Sequence, residues 1–126
     1  MRTILLLEDD LVLSSAIEHQ LSMRGFSVIS ARTVEEGLSV LDGTASIDAI
    51  WLDHYLLGQR NGLDLVTHIK ESEKTKHIPV FVVSNSAGSE NMSSYIRLGV
   101  DQYYTKADYD LSQIISDIAY ALDNHY

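Results

Sequence analysis

Polar residues that could take part in chemistry follow four short apolar runs of this sequence. The acidic triplet 8–10 ends the first run, Asp53 ends the second, and Ser84 and Lys106 follow the other two. Crowded carboxylates repel one another, so they need protons or a hard cation, and Mg²⁺ prefers carboxylate, carbonyl and water oxygens. If the four groups converge, the simplest interpretation is a divalent-cation site with a hydroxyl and an ammonium beside it.

Taken singly, each of these residues has an ordinary structural explanation. An acidic triplet after a strand commonly starts a helix, where it interacts favourably with the helix dipole. Asp53 could simply end a strand, Ser84 could be a strand-end hydroxyl, and Lys106 could be a surface lysine. The joint placement favours chemistry, because independent accidents would otherwise have to bring acids, a hydroxyl and a cation to one edge.

Five segments have the composition of β-strands. Four are apolar or β-prone runs ended by polar residues, as expected for strands buried on both faces, and one is less apolar and suits a sheet edge. The predicted strands are 4–7, 26–31 (the edge strand), 49–52, 80–83 and 102–105.

Between the strands, apolar residues recur with the period of an α-helix. Leu13, Ile17 and Leu21 mark the first helix, and Gly25 follows where a left-handed C-terminal cap belongs. The other helices are indicated by capping-box sequences at 33–36 and 110–113 and by the apolar residues Leu38, Leu41, Leu63, Val66, Ile69, Met92, Ile96, Leu98, Ile114, Ile115, Ile118 and Leu122.

The order strand then helix, repeated five times, predicts an α/β fold with a doubly wound parallel sheet. Parallel strands need crossover connections, and right-handed crossovers place helices on both faces of an open sheet. In such sheets ligands bind outside the carboxyl ends of the strands. The acidic triplet, Asp53, Ser84 and Lys106 all fall at these ends.

Composition limits the class of protein. The chain has 126 residues, of which 45% are hydrophobic and 21% charged, so we expect one domain over 1–126 with a packed core. Its formal charge of −9 disfavours direct binding to nucleic acid or anionic lipid. There is no Cys, which excludes thiolate chemistry and disulfides, and no apolar run could span a bilayer. We expect a soluble, cytoplasmic protein.

Five segments, taken together, resemble the successive signatures of response-regulator receiver domains. They are 5–10 (LLLEDD), 50–53 (IWLD) with 61–65 (NGLDL), 79–84 (PVFVVS) and 99–106 (GVDQYYTK), and they cover the chain in the family's order and spacing. The resemblance implies a flavodoxin-like five-stranded sheet with strand order 2-1-3-4-5. It also implies a switch that accepts phosphate on an aspartate with Mg²⁺, and not an enzyme with a separate substrate.

Site roles follow from the resemblance residue by residue. It implies Asp53 as phosphoacceptor; Glu8, Asp9, Asp53 and the backbone carbonyl of Tyr55 as Mg²⁺ ligands; Ser84 and Lys106 as phosphoryl-binding groups; Ser84 and Tyr103 as switch residues; and Tyr55 and Ser86 as the positions that tune dephosphorylation. A carboxylate that attacks a phosphoryl donor forms an aspartyl phosphate, whose charge Mg²⁺ and Lys106 can neutralise.

The resemblance also implies partners. The phosphoryl group would come from a sensor histidine kinase or a phosphotransfer protein, and an effector domain or protein would bind the surface formed by about residues 90–122. A homodimer is a further possibility. Whether the chain acts alone or belongs to a longer regulator or hybrid kinase stays open.

Two positions depart from the family pattern. The family has proline four residues after the phosphoacceptor and again after the lysine, where this chain has Leu57 and Ala107. A cis bond before a non-proline residue costs roughly 3 kcal/mol, so we expect a trans peptide after Lys106. The loop 57–61 also looks one residue longer than the commonest form.

Two other functions compete with this interpretation. A receiver-like interaction module that is not phosphorylated is the main alternative, and acid-labile phosphate on Asp53 would decide against it. A phosphohydrolase or flavodoxin-like cofactor binder on the same sheet is disfavoured, because no glycine-rich phosphate loop follows the first strand and no DxD pattern surrounds a nucleophile.

Overall fold

Strands and helices alternate along the chain as the sequence predicts. The computed structural model describes the backbone of residues 1–85 and 89–124, with the side chains of all of these except 89 and 90. The strands are β1 (Thr3–Leu7), β2 (Ser27–Ala31), β3 (Ala49–Leu52), β4 (Val80–Ser84) and β5 (Gln102–Thr105). The helices are α1 (Leu11–Met23), α2 (Val34–Asp42), α3 (Gly62–Glu71), α4 (Ser89–Leu98) and α5 (Leu111–Asp123).

The strands form one five-stranded sheet in the order β2-β1-β3-β4-β5, with every neighbouring pair parallel. The predicted fold class and strand order are therefore confirmed. Leu7 pairs with Ala31 on one side and with Leu52 on the other, so β1, β2 and β3 end at the same level. That register brings the residues that follow β1 and β3 side by side at the carboxyl edge.

Each face of the sheet carries its own hydrophobic core, because successive side chains of a strand point to opposite faces. Leu5 and Leu7 belong to the cluster that packs against α2, α3 and α4, whereas Ile4 and Leu6 belong to the cluster under α1 and α5. All four leucine and isoleucine side chains are fully buried. Full burial of such a side chain contributes about 1.5–3 kcal/mol, which explains why these runs are continuously apolar.

Polar residues cap the helices close to the predicted positions. Asp10 is the N-cap of α1 and accepts hydrogen bonds from the amides of Val12 and Leu13, at 3.0 and 3.1 Å. Gly25 follows α1 with a φ of 91°, the left-handed conformation expected of it. At the other end of the chain, Asp110 caps α5 by accepting the amide of Gln113 at 2.8 Å.

The predicted capping box at the start of α2 is formed only in part. Thr33 accepts the amide of Glu36 at 3.0 Å, as a capping box requires. The Glu36 carboxylate, however, accepts the amide of Arg32 at 2.7 Å, one residue before the cap. The carboxylate thus stabilises the turn that enters the helix and joins it to the end of β2.

Helix α4 buries a residue that the apolar pattern does not single out. Met92 and Ile96, which mark this helix in the sequence, are exposed by 40% and 59%. Tyr95 is fully buried instead and belongs to the core beneath α3 and α4. The existence of the helix was predicted, but the face that it turns inward was not.

Candidate functional site

The polar residues singled out in the sequence meet at the carboxyl edge of the sheet. The amide of Asp53 donates to the carbonyl of Leu7 at 2.9 Å, which places Asp53 beside the acidic residues that follow β1. In the same way, the amide of Lys106 donates to the carbonyl of Ser84 at 2.9 Å. Backbone pairing, not chance contact between long side chains, therefore assembles the site.

Lys106 binds two carboxylates at the centre of this edge. Its Nζ lies 3.1 Å from Glu8 Oε1 and 3.2 Å from Asp53 Oδ2, and its side chain is 17% exposed. Burial alone would lower the pKa of Lys106, but the negative charges of Asp53 and Glu8 outweigh burial and raise it. The lysine therefore stays charged and holds one oxygen of Asp53 at a fixed position.

Three carboxylates are close enough to share one cation. Glu8, Asp9 and Asp53 each offer an oxygen, and these oxygens lie within 4.8 Å of one another. Burial and the charge of Asp53 raise the pKa of Glu8 from its ordinary value of 4.5 to about 7. A hard divalent cation, which prefers oxygen ligands, would relieve the crowding of carboxylates that raises this pKa, so the donor set fits such a cation.

The backbone around the carboxylates also contributes hydrogen bonds. The amide of Asp10 donates to Glu8 Oε2 at 3.1 Å, and the amide of Tyr55 donates to Asp53 Oδ1 at 3.3 Å. Asp53 therefore has each carboxylate oxygen within reach of a donor, Tyr55 N–H on one and Lys106 on the other. These contacts orient the carboxylate before any ligand binds.

The loop after β3 is held by an interaction that proline could not make. The amide of Leu57 donates to the carbonyl of Arg32 at 3.0 Å, and Leu57 forms an isolated parallel bridge with Thr33. Proline lacks this N–H. Gly58 follows with a φ of 90°, which a residue with a side chain adopts at a cost, and the loop turns there. The peptide after Lys106 is trans, as expected.

Three of the remaining predicted site residues, Ser84, Tyr103 and Tyr55, lie at or near this edge. Ser84 is fully buried at the end of β4, and Tyr103 is half-buried on β5. The side chain of Tyr55 is 56% exposed, and its ring packs edge-on against His54 with the ring centroids 4.7 Å apart. Ser86 lies outside the described residues. The roles given to these residues stay predictions.

One buried polar pair beside the site was missed by sequence reasoning. His54 Nδ1 and Tyr95 Oη are 2.7 Å apart, and both side chains are buried. Burial lowers the pKa of His54, although the charges of Asp53 and Asp64 partly oppose it. A histidine directly after Asp53 indicates a polar group beside the site. The sequence does not identify its partner, because that residue lies 41 positions away along the chain.

The Tyr95 ring continues this contact toward β5. Its centroid lies 5.8 Å from that of Tyr103, with a tilt of 39° between the two rings. The residue that follows Asp53 is thus joined through Tyr95 to both α4 and β5.

A family model described as the response regulator receiver domain matches residues 4–119. The chain belongs to this family. Among curated proteins, the transcriptional regulatory protein CpxR of Escherichia coli K12 is 33% identical over 106 residues, which cover 84% of this chain and 43% of CpxR. The chemotaxis protein CheY1 of Helicobacter pylori 26695 is 26% identical, over 82% of this chain and 83% of CheY1. The chain thus spans less than half of the length of CpxR.

Solved receiver-domain structures have the same fold. The phosphorylated cyanobacterial phytochrome response regulator RcpA superposes with a TM-score of 0.85 at 26% identity, over 99% of this chain and 96% of RcpA. A CheY-like receiver domain protein of Methanospirillum hungatei JF-1 gives a TM-score of 0.87 at 22% identity, over 98% of this chain and 94% of that protein. Receiver domains act as phosphorylation-dependent signalling switches, so membership in the family implies a phosphoacceptor role.

Proposed function

We propose that Asp53 accepts a phosphoryl group from a histidine kinase or a phosphotransfer protein, with Mg²⁺, and that the modified domain changes a partner-binding surface. The observation that carries this proposal is the position of Lys106 Nζ, which lies 3.2 Å from Asp53 Oδ2 and 3.1 Å from Glu8 Oε1. An ammonium at that position can contact the Asp53 carboxylate before the transfer and the acyl phosphate after it. RcpA, which is similar in sequence and fold, is itself phosphorylated.

The transfer joins an Asp53 carboxylate oxygen to the phosphorus of the donor. The bond from phosphorus to the donor's nitrogen or oxygen breaks, and the bonding electrons leave with the donor. When bound, Mg²⁺ would neutralise charge on the phosphoryl oxygens; Glu8, Asp9, Asp53 and the carbonyl of Tyr55 would hold it. Lys106 offers a second positive charge from the side of the sheet.

Ser84 and Tyr103 would report the phosphoryl state to the rest of the domain. A phosphoryl group can shift a conformational equilibrium only if it bonds better in one state, and a bond to the hydroxyl of Ser84 would provide that difference. The responding surface would be about residues 90–122. This surface includes the exposed side chains of Met92, Ile96 and Tyr120, which are apolar groups available to an effector or to a second copy of the domain.

Intact-mass measurement with acetyl phosphate and Mg²⁺ tests the phosphoacceptor. The wild type should gain one phosphoryl group, Asp53→Asn should gain none, and Asp9→Ala should be labelled much less because a metal ligand is lost. Undiminished labelling of Asp53→Asn would show that the site is assigned wrongly. A folded wild type that takes up no phosphate would favour an interaction module that works without phosphorylation.

Amide NMR tests the switch separately. With beryllofluoride and Mg²⁺, shifts should concentrate around Asp53 and over about residues 90–122. Shifts confined to the Asp53 loop would contradict the coupling to that surface while leaving phosphorylation intact.

A further inference from the structure

Arg32 connects three segments at the edge of the site. It lies directly after β2 and is half-buried. Its guanidinium donates from Nη2 and Nε to the backbone carbonyl of Asp9, at 3.0 and 3.3 Å. Its own carbonyl accepts the amide of Leu57 at 3.0 Å, and its amide donates to Glu36 at 2.7 Å. Three segments therefore meet at Arg32: the acidic turn formed by residues 8–10, the start of α2 and the loop after β3.

The acidic turn needs such a support. β1 ends at Leu7 and α1 begins at Leu11, so Asp9 lies in neither element. The amide of the preceding residue, Glu8, pairs with Ala31 at 3.2 Å, and no hydrogen bond to the carboxylate of Asp9 appears among the described residues. The direction of that carboxylate is consequently set by the backbone of the turn. The guanidinium of Arg32 binds this backbone at the carbonyl of Asp9.

We propose that Arg32 is a positioning residue for the metal ligand Asp9. This inference rests on the proposed Mg²⁺-dependent function. Arg32 does not touch the cation; it fixes the peptide that carries Asp9, while its carbonyl fixes the loop that carries the carbonyl of Tyr55. Groups that orient metal ligands typically change metal affinity by about 10- to 100-fold when they are removed.

The charge of Arg32 acts in the opposite direction, which makes the proposal easy to test. A positive charge at the rim of an acidic site repels a divalent cation, so its removal would strengthen Mg²⁺ binding if charge were all that mattered. Positioning predicts that removal weakens Mg²⁺ binding. Lysine keeps the charge but lacks the planar fork that reaches one carbonyl with two N–H groups.

The experiment measures the Mg²⁺ dissociation constant of the unphosphorylated domain by titration calorimetry. Fluorescence of Trp51, a fully buried residue two positions before Asp53 and the single tryptophan of the chain, provides a second readout. Arg32→Lys and Arg32→Met should both bind Mg²⁺ about 10- to 100-fold more weakly. Arg60→Met is the matched control, because Arg60 forms an exposed ion pair with Glu35 at 3.2 Å and should leave the affinity unchanged.

The outcomes separate clearly. An unchanged affinity in Arg32→Lys together with tighter binding in Arg32→Met would show that Arg32 acts through charge and would overturn the proposal. The rate of labelling by acetyl phosphate should return to the wild-type value at saturating Mg²⁺, and a defect that persists there would also overturn it. A folded wild type that binds no Mg²⁺ would overturn the proposed function and this inference together, whereas wild-type binding with unaffected variants overturns this inference alone.

Discussion

Glu8 should make the metal-free domain less stable as the pH rises. Burial and the charge of Asp53 raise the pKa of Glu8 from 4.5 to about 7. The folded state therefore favours the protonated form, so the stabilisation is complete below about pH 4.5 and is lost as the pH rises through 7. A rise of this size corresponds to about 3 kcal/mol, of which about 2 kcal/mol falls between roughly pH 5.5 and 8.

Glu8→Gln removes the titrating group and keeps an oxygen that can accept from Lys106. The free energy of unfolding is measured with urea in the presence of EDTA. Between roughly pH 5.5 and 8 it should decrease in both proteins, and the decrease should be about 2 kcal/mol smaller in Glu8→Gln than in the wild type. Glu18→Gln is the control, since Glu18 is exposed on α1 and should leave the wild-type profile unchanged.

Added Mg²⁺ should reverse most of this loss in the wild type. At about ten times its dissociation constant, the cation should stabilise the wild-type protein near pH 8 by about 1.4 kcal/mol, because it binds only the folded state. Glu8→Gln should gain less, since one carboxylate is missing. If wild type and Glu8→Gln lose equal stability from pH 5.5 to 8 in EDTA, the burial of Glu8 does not govern the acidic cluster.

Three further variants test separate contacts. Tyr95→Phe should lower the free energy of urea unfolding by about 1–3 kcal/mol, because it leaves His54 Nδ1 buried without its partner. The control Tyr120→Phe, at a side chain that is 72% exposed, should change this free energy little. Equal effects of the two substitutions would contradict this reasoning. Tyr55→Asn should speed the loss of phosphate at saturating Mg²⁺ if the ring of Tyr55 shields the phosphoryl group from the attacking water; an unchanged half-life would refute shielding. Asp110→Ala should cost about 1 kcal/mol in thermal or urea unfolding through the lost cap of α5, and a neutral effect would show that the cap is replaced by solvent.

The sheet and the centre of the site could be predicted because they depend on local pattern. Strands buried on both faces must be apolar throughout, and a parallel sheet brings their carboxyl ends to one edge. The strand order came from the family resemblance, and in that order the pairing of Leu7 with Leu52 makes Glu8 and Asp53 neighbours. Lys106 follows from the same argument applied to β4 and β5.

The contacts that could not be predicted depend on tertiary packing. The apolar pattern of α4 contains Met92 and Ile96. It cannot show that Tyr95 is buried, since the partner of the buried hydroxyl is His54, in the loop after β3. The hydrogen bond from Leu57 to Arg32 could not be predicted for a similar reason. A backbone N–H is present at nearly every position, and only the path of the loop decides which carbonyl it reaches.

The contact between His54 and Tyr95 restricts which substitutions this domain can accept, and in what order. Gly62, at the start of α3, lies so close to the Tyr95 hydroxyl that a Cβ there would overlap it, and it would also press on the backbone of Asp53 and His54. A side chain at position 62 therefore requires the Tyr95 hydroxyl to move or Tyr95 to become smaller, and either change disturbs the hydrogen-bond partner of His54. We expect the residues at positions 54, 62 and 95 to change together among related receiver domains, so that a polar residue at 54 accompanies a tyrosine at 95 and a glycine at 62.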